Sequence, residues 1–543
     1  MSPRRWAAAG ALVSLALALA VFELYMFTGG DNAAYYALAQ ALATGRGYVD
    51  LITPGAPPAT QYPPGFPLLL VPVMWIFGGA YVPLKIVSFL AGAGALAGLW
   101  ALARREDSLS AWGAPAAVWL LGLYPVFRIY THWVLSDMAY VAMSLAALAV
   151  FARAAREAPA SRHEGAGKGR KKKEKKAESE ERRRGTDDPW GPWLVGALLA
   201  LAAFYIRTAG VALLAAPFLW ALWRRSWRRA GIMGAIALVG AAPWFAWVQQ
   251  RPIAERGSYL RQLTSENRLD PTSRSVAVGE IVERGIENTG RYASRDLPQM
   301  VWPLVVPPAE GAWKPAPLPV RVFGGLFLGA LIAYGVALAL RKRGLAVWDL
   351  YAALSLGVIL VWAWTGDRFF LTVVPFLWIY FLIGLDNASR LMLKSARPAV
   401  AVVALIAAVQ IVGAMREVPS QLRLTRMWLE GEELAGYHEF WQDYFEAARW
   451  IGEQAPHAVI VARKPTLAWY WSGGRPSYAY PFHREPDATW EAIREGGATH
   501  ILLEYNSRVF LAPTLERHVE EFEIVHSSPR RLTVVLAIRP ESP

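Results

Sequence analysis

A chain of 543 residues that is 55% hydrophobic carries more apolar surface than a soluble fold of this length buries, so much of it must face lipid. Its formal net charge is +13, yet the basic residues stand in short runs between apolar stretches, a pattern of membrane topology that argues against a nucleic-acid partner. Cysteine is absent, which excludes disulfides, thiolate nucleophiles and cysteine-ligated metals.

The first apolar run, Trp6 to Phe27 behind Arg4 and Arg5, is longer than the core of a signal peptide and reads as an uncleaved anchor. Further spans are predicted at 80–103, 112–127, 134–152, 190–206, 209–223, 229–248, 321–340, 346–363, 370–385 and 398–415. Together they make about eleven transmembrane helices. Arg4-Arg5, Arg104-Arg105, the stretch 153–188, Arg224-Arg225, Arg228-Arg229, Arg341 to Arg343, and Arg390 with Lys394 and Arg397 then share one face. Positive residues in short loops stay cytoplasmic, so the N-terminus is expected inside and the tail outside a multi-pass plasma-membrane protein, with a bacterial inner membrane as the default.

The expected fold class is an α-helical polytopic membrane protein over residues 1–415, followed by a small extracytoplasmic α/β domain over 416–543. Within the first part, 153–189 is charge-rich and lacks aliphatic periodicity, so it is expected to be a disordered basic cytoplasmic loop near anionic membrane lipids. Residues 249–320 form a large outer loop with a helical stretch near 280–295. The first outer loop, 28–79, is more pointed. Asp31 or Asn32 can cap a short helix whose apolar face, with Ala33, Tyr36, Ala37 and Ala41, would lie along the membrane surface. Phe66 to Phe77, opened by Pro63-Pro64-Gly65, is too short to span and reads as an interfacial or re-entrant helix.

An Asp at the outer end of the first span, the Tyr35-Tyr36 helix, the Gly45 to Tyr48 turn and the Tyr62 to Gly65 segment together resemble the GT-C superfamily. Within it, the likeness is to the bacterial aminoarabinose-transferase and protein-mannosyltransferase type, including transferases of lipopolysaccharide cores. Where many relatives have Asp-Glu this chain has Asp31-Asn32, and the Lys-Pro-Pro of some is Tyr62-Pro63-Pro64. The resemblance implies a polyprenyl-phosphate sugar as donor, and a lipid, glycan or protein as acceptor on the outer face.

Such a transfer needs a base for the incoming hydroxyl and positive charge for the departing phosphate. Asp31 is the candidate base. Asp137, at the start of the fourth span, matches the family's second acid, for acceptor positioning or for holding a divalent cation, magnesium or manganese, with Asp31. Arg207 and Arg368, both at outer span ends, are the candidate phosphate ligands because guanidinium stays charged and grips oxygens in a planar fork. Arg368-Phe369-Phe370 ahead of Pro375 looks like the family's Arg-Tyr segment, and Asp367 would neutralise Arg368. Lys85 is a further phosphate candidate, and Tyr35, Tyr36, Tyr62 and His132 are candidate substrate contacts. A transporter or flippase of lipid-linked saccharides, and a polysaccharide polymerase or ligase, are the competing readings.

In the tail, helices near 438–453 and 487–495, strands 458–462 and 500–504, and a hairpin of 522–527 with 532–538 are expected. The aromatic tract Thr466 to Phe482 would stack on sugars or pack the core.

Overall fold

The computed structural model describes residues 2–157, 190–251, 259–265, 274–302, 316–480 and 485–540. Most of the basic loop 153–189 and parts of the loop 249–320 lie outside the described residues.

In lipid a backbone can satisfy its polar groups only internally, and the apolar runs are accordingly helical. The first helix, α1 (Pro3–Ala20), stops short of the expected Phe27. The stretch after it is irregular, and the Lys85 ammonium satisfies its backbone, donating at 2.6 Å to the carbonyls of both Glu23 and Tyr25. Two short helices follow, α2 (Asp31–Ala43) and α3 (Gly65–Phe77), and then α4 (Tyr81–Ala103). The predicted span 112–127 divides into α5 (Gly113–Leu123) and α6 (Pro125–Tyr130). A residue before proline is driven out of the helical region, and Tyr124 sits at φ −58°, ψ 122°.

The bundle continues with α7 (Ser136–Glu157), α8 (Trp190–Ile206), α9 (Val211–Trp223) and α10 (Trp227–Gln249). From the outer loop come α11 (Tyr259–Thr264), α12 (Val278–Arg291), a π-helical turn at Tyr292–Asp296 and α13 (Leu297–Val301). The last part holds α14 (Leu318–Arg343), α15 (Val347–Val361), the short α16 (Asp367–Phe370), α17 (Val374–Leu393) and α18 (Arg397–Leu429), which runs well past the predicted end at 415. Among the described residues six helices are long and apolar enough to cross a membrane, namely α4, α7, α10, α14, α17 and α18, with shorter apolar helices between them. Their outward faces are apolar, as Leu238 and Val239 on α10 and Phe323, Leu326 and Phe327 on α14 are all exposed.

The alanine face of α2 does not lie on the membrane surface. Ala33, Ala37 and Ala41 are fully buried in protein, because α2 packs on α3 and on the C-terminal domain. The outward apolar face belongs to α3, which exposes Leu68, Trp75 and Ile76 and buries Phe66, Leu70 and Met74. Its first residue must be small: a Cβ on Gly65 would lie 2.5 Å from the Tyr205 carbonyl oxygen at the end of α8.

The C-terminal domain starts with α19 (Glu439–Gln454) and builds a five-stranded sheet in the order β2-β1-β3-β5-β4. Its members are β1 (Ile460–Ala462), α20 (Pro465–Trp471), β2 (Ser477–Tyr478), α21 (Pro486–Glu495), β3 (His500–Glu504), α22 (Tyr505–Arg517), β4 (Phe522–Ser527) and β5 (Thr533–Ile538). β1 is parallel to β2 and β3, whereas β5 is antiparallel to β3 and β4. The pleat sorts side chains to two faces. Ile460 and Ala462 join a core continuous with the bundle, and Val461 joins a second cluster with Trp490, Ile493 and Leu536. The described part of the aromatic tract is packing rather than an open sugar platform: Trp469 and Tyr480 are buried, and Trp471 stacks on Phe445 at 4.6 Å.

Candidate active site

The first acid is placed by a turn. Gly30 caps α2 with φ +98°, a left-handed conformation that favours glycine, and Asp31 is the first residue of the helix rather than its cap. Its carboxylate is therefore available for longer-range partners. Tyr62 donates to one oxygen at 3.0 Å and Arg368 to the other at 2.5 Å. Asp137 lies in the first turn of α7, where the helix dipole favours a negative charge, and its side chain is only 1% exposed. It accepts from Arg207 and, at 3.2 Å, from the same Arg368 guanidinium that holds Asp31.

One guanidinium thus bridges two carboxylates that are 106 residues apart in the chain, a separation read directly from their numbers. Arg368 also directs its Nε–H toward Asp137 at 3.5 Å, so among the described residues three of its five N–H groups face acids and two do not. The cluster is partly open, with side chains 29% exposed at Asp31, 20% at Arg368 and 14% at Arg207. Burial alone would raise the Asp31 carboxyl, but the charge and hydrogen bond of Arg368, with Tyr62 and the Lys464 charge, hold it below the usual carboxylate range. Asp31 is a carboxylate at neutral pH.

The aromatic candidates divide. Tyr35 packs on Tyr62 with ring centroids 4.7 Å apart and shares a 2.8 Å hydrogen bond with Ser136, so it braces both acids. Tyr36 faces the C-terminal domain, donating to the Gly79 carbonyl at 2.9 Å and meeting Tyr470 edge to face at 5.3 Å. Lys85 is not brought to the cluster: it is fully buried and held by the Glu23 and Tyr25 carbonyls. His132 is buried beside it, its ring 5.0 Å from that of Phe22. Asp367, expected to neutralise Arg368, instead accepts from Tyr130 at 3.1 Å.

Asp31 and Asp137 were put forward for holding a divalent cation. The Arg368 guanidinium stands between them, and among the described residues no three His, Asp or Glu side chains converge as a ligand set.

Two further groups escaped the sequence reading. Lys464, at the start of α20, donates to the Gly29 carbonyl at 3.1 Å beside Asp31. Asp296 is buried in the π-helical turn, and burial pushes its carboxyl up to about 7, with Arg295 lowering it and Asp367 raising it further. A π-turn next to a functional segment is a recurrent signal, but it is visible only in coordinates.

No family model matches the chain, and no curated protein matches it in sequence. Solved structures do. Across 99% of both chains it superposes on ArnT from Cupriavidus metallidurans bound to undecaprenyl phosphate, at 15% identity and a TM-score of 0.54. It matches the archaeal oligosaccharyltransferase AglB from Archaeoglobus fulgidus, solved with an inhibitory peptide and a dolichol-phosphate, at 13% identity and a TM-score of 0.55. That match covers 99% of this chain and 75% of AglB. A structure of the Archaeoglobus fulgidus oligosaccharyltransferase with zinc and sulfate matches at 15% identity and a TM-score of 0.53, over 98% of this chain and 73% of that one. At such identities the likeness shows a shared fold.

Proposed function

We propose that the chain is a membrane glycosyltransferase that moves a sugar from a polyprenyl-phosphate donor to a hydroxyl-bearing acceptor, with inversion at the anomeric carbon. The observation that carries this reading is the single guanidinium of Arg368 holding Asp31 and Asp137 at a partly open rim of an apolar helical bundle. The structural likeness to ArnT with undecaprenyl phosphate and to AglB with a dolichol-phosphate supports a lipid phosphate as carrier.

In this reading Asp31 takes the proton of the acceptor hydroxyl, and the freed oxygen attacks the anomeric carbon. The bond from that carbon to the phosphate oxygen breaks with its electron pair going to the phosphate. The unengaged N–H groups of Arg368, with Arg207 beside it, stabilise the charge that develops there. Asp137 holds both arginines in place. A divalent cation has no part in this scheme, since the guanidinium occupies the place between the acids.

Sidedness follows from charge. Arg156 pairs with Asp107, and Arg343 with Glu106, at the end of the bundle away from Asp137, which supports a basic cytoplasmic rim opposite the site. The site and the C-terminal domain then lie outside, at the plasma membrane. A flippase would need charge along a midplane path, whereas these acids and arginines sit at one rim. The test is transfer by purified protein from radiolabelled polyprenyl-phosphate sugars. Release of polyprenyl phosphate together with label on an acceptor is the expected result; movement of intact donor across a vesicle without release would overturn it.

A further inference from the structure

The four side chains joined by ion pairs at the site are two carboxylates, Asp31 and Asp137, and two guanidinium groups, Arg207 and Arg368. Their formal charges cancel. The phosphodiester of the donor is already an anion before any proton has moved to Asp31, and towards it these four groups carry no net formal charge. A cation from elsewhere would supply it.

The C-terminal domain brings one. Lys464 stands between β1 and α20, and its own carbonyl accepts from Tyr444 at 2.9 Å, which fixes the backbone of this connection. Its ammonium reaches 3.1 Å from the Gly29 carbonyl, two residues before Asp31. The connection is pressed onto the turn that presents the acid. A Cβ on Gly30 would lie 2.7 Å from the Thr466 hydroxyl oxygen, so only glycine lets the two segments approach so closely. Around that contact the domain is anchored on three sides, by the Ser477 amide to the Ile52 carbonyl at 2.6 Å, the Met26 amide to the Tyr437 hydroxyl at 2.7 Å, and the Tyr36 ring against Tyr470. The ammonium is therefore held at the site by a packed interface.

We infer that Lys464 is a donor-binding residue supplied by the C-terminal domain, and that its ammonium gives the site the net positive charge that engages the phosphate of the lipid-linked sugar. The inference rests on the glycosyltransferase reading and assigns the domain a place in the active site. A lysine is suited to this: its flexible stem lets the ammonium leave the Gly29 carbonyl for a phosphate oxygen without disturbing the Asp31–Arg368 pair.

The experiment uses the full-length protein in detergent micelles, with undecaprenyl phosphate as the probe and phosphatidylglycerol and inorganic phosphate as competitors. Lys464→Met is expected to weaken undecaprenyl phosphate binding and to raise the KM for donor, each on the order of tenfold, with the melting temperature unchanged. Lys464→Arg is expected to keep most of the affinity. Wild-type affinity in Lys464→Met would overturn the inference alone, as would equal impairment of both variants with lowered melting temperatures. Displacement of the probe by equimolar phosphatidylglycerol would also overturn it, since the lysine would then be a general headgroup contact. Failure of the wild-type protein to bind undecaprenyl phosphate at all would overturn the glycosyltransferase reading with it.

Discussion

Two ion networks, one closed and one partly open, occupy opposite ends of one bundle. Asp137 begins α7 and Arg156 is near its end, a rise of roughly 30 Å. At the Arg156 end, Arg343 donates to Asp349 at 2.6 and 2.8 Å and pairs with Glu106, and the Asp349 carboxylate also accepts from the Ala346 amide at 2.7 Å and from Tyr380. Glu106 is 1% exposed, Asp349 8% and Arg343 9%. Asp349 and Ala346 are close to Arg343 in the chain, whereas Glu106 is 237 residues away, and the network clamps helix ends. At the other end Arg368 reaches 231 residues to Asp137 and 337 to Asp31, and the cluster keeps an open edge. The same chemical types therefore serve two ends, one network nearly closed to solvent and the other partly open to it.

The comparison breaks first at Asp31. Asp31→Asn is expected to lower transfer by on the order of a thousandfold while membrane yield and melting temperature stay near wild type, read in the radiolabelled-donor assay. Full activity in that variant would remove the base from the mechanism. Next is Arg368→Lys, which keeps the charge but loses the planar fork that spans two acids. A drop of about a hundredfold in kcat/KM is expected, and a drop below threefold would mean that bidentate bridging is irrelevant.

The closed end should respond in the opposite currency. Arg343→Ala leaves Glu106 and Asp349 buried without their partner and should cost about 3 kcal/mol of stability, seen in thermal unfolding, with unchanged specific activity of the folded fraction. A smaller change is expected at Asp296. Its folded-state carboxyl is raised to about 7, above the unfolded value, so the folded protein binds more protons between the two and stability falls as pH rises through that window. Asp296→Asn should flatten that fall, raising the melting temperature more at pH 8 than at pH 5. Finally, EDTA should leave transfer unchanged; a loss restored by magnesium or manganese would show that the two acids trade their guanidinium for a cation.

The apolar segments were legible because lipid imposes length and composition on anything that crosses it. Each predicted span overlaps a helix, and two of the errors trace to a local event: proline at 125 split one span, and Lys85 held the chain after Ala20 in an irregular path, while α18 runs on past 415. In the tail, strands 500–504 and 522–527 showed as short runs rich in aliphatic and aromatic residues, whereas β2, two residues long, is too short to read. Asp31, Asp137, Arg207 and Arg368 were singled out by residue type and position at span ends, and the structure brings these four together. Lys85 shares their type and neighbourhood but faces a backbone loop, a distinction that no residue identity encodes.

By itself, then, the sequence determined which segments are apolar helices, which loops carry the basic clusters, and which span ends carry carboxylates and guanidinium groups, because each of these depends on local composition. Only the tertiary structure decided that one guanidinium joins two distant acids and that a lysine 433 positions beyond Asp31 arrives beside it, a separation given by their numbers. Such meetings depend on how helices and domain pack, and packing is a property of the whole chain.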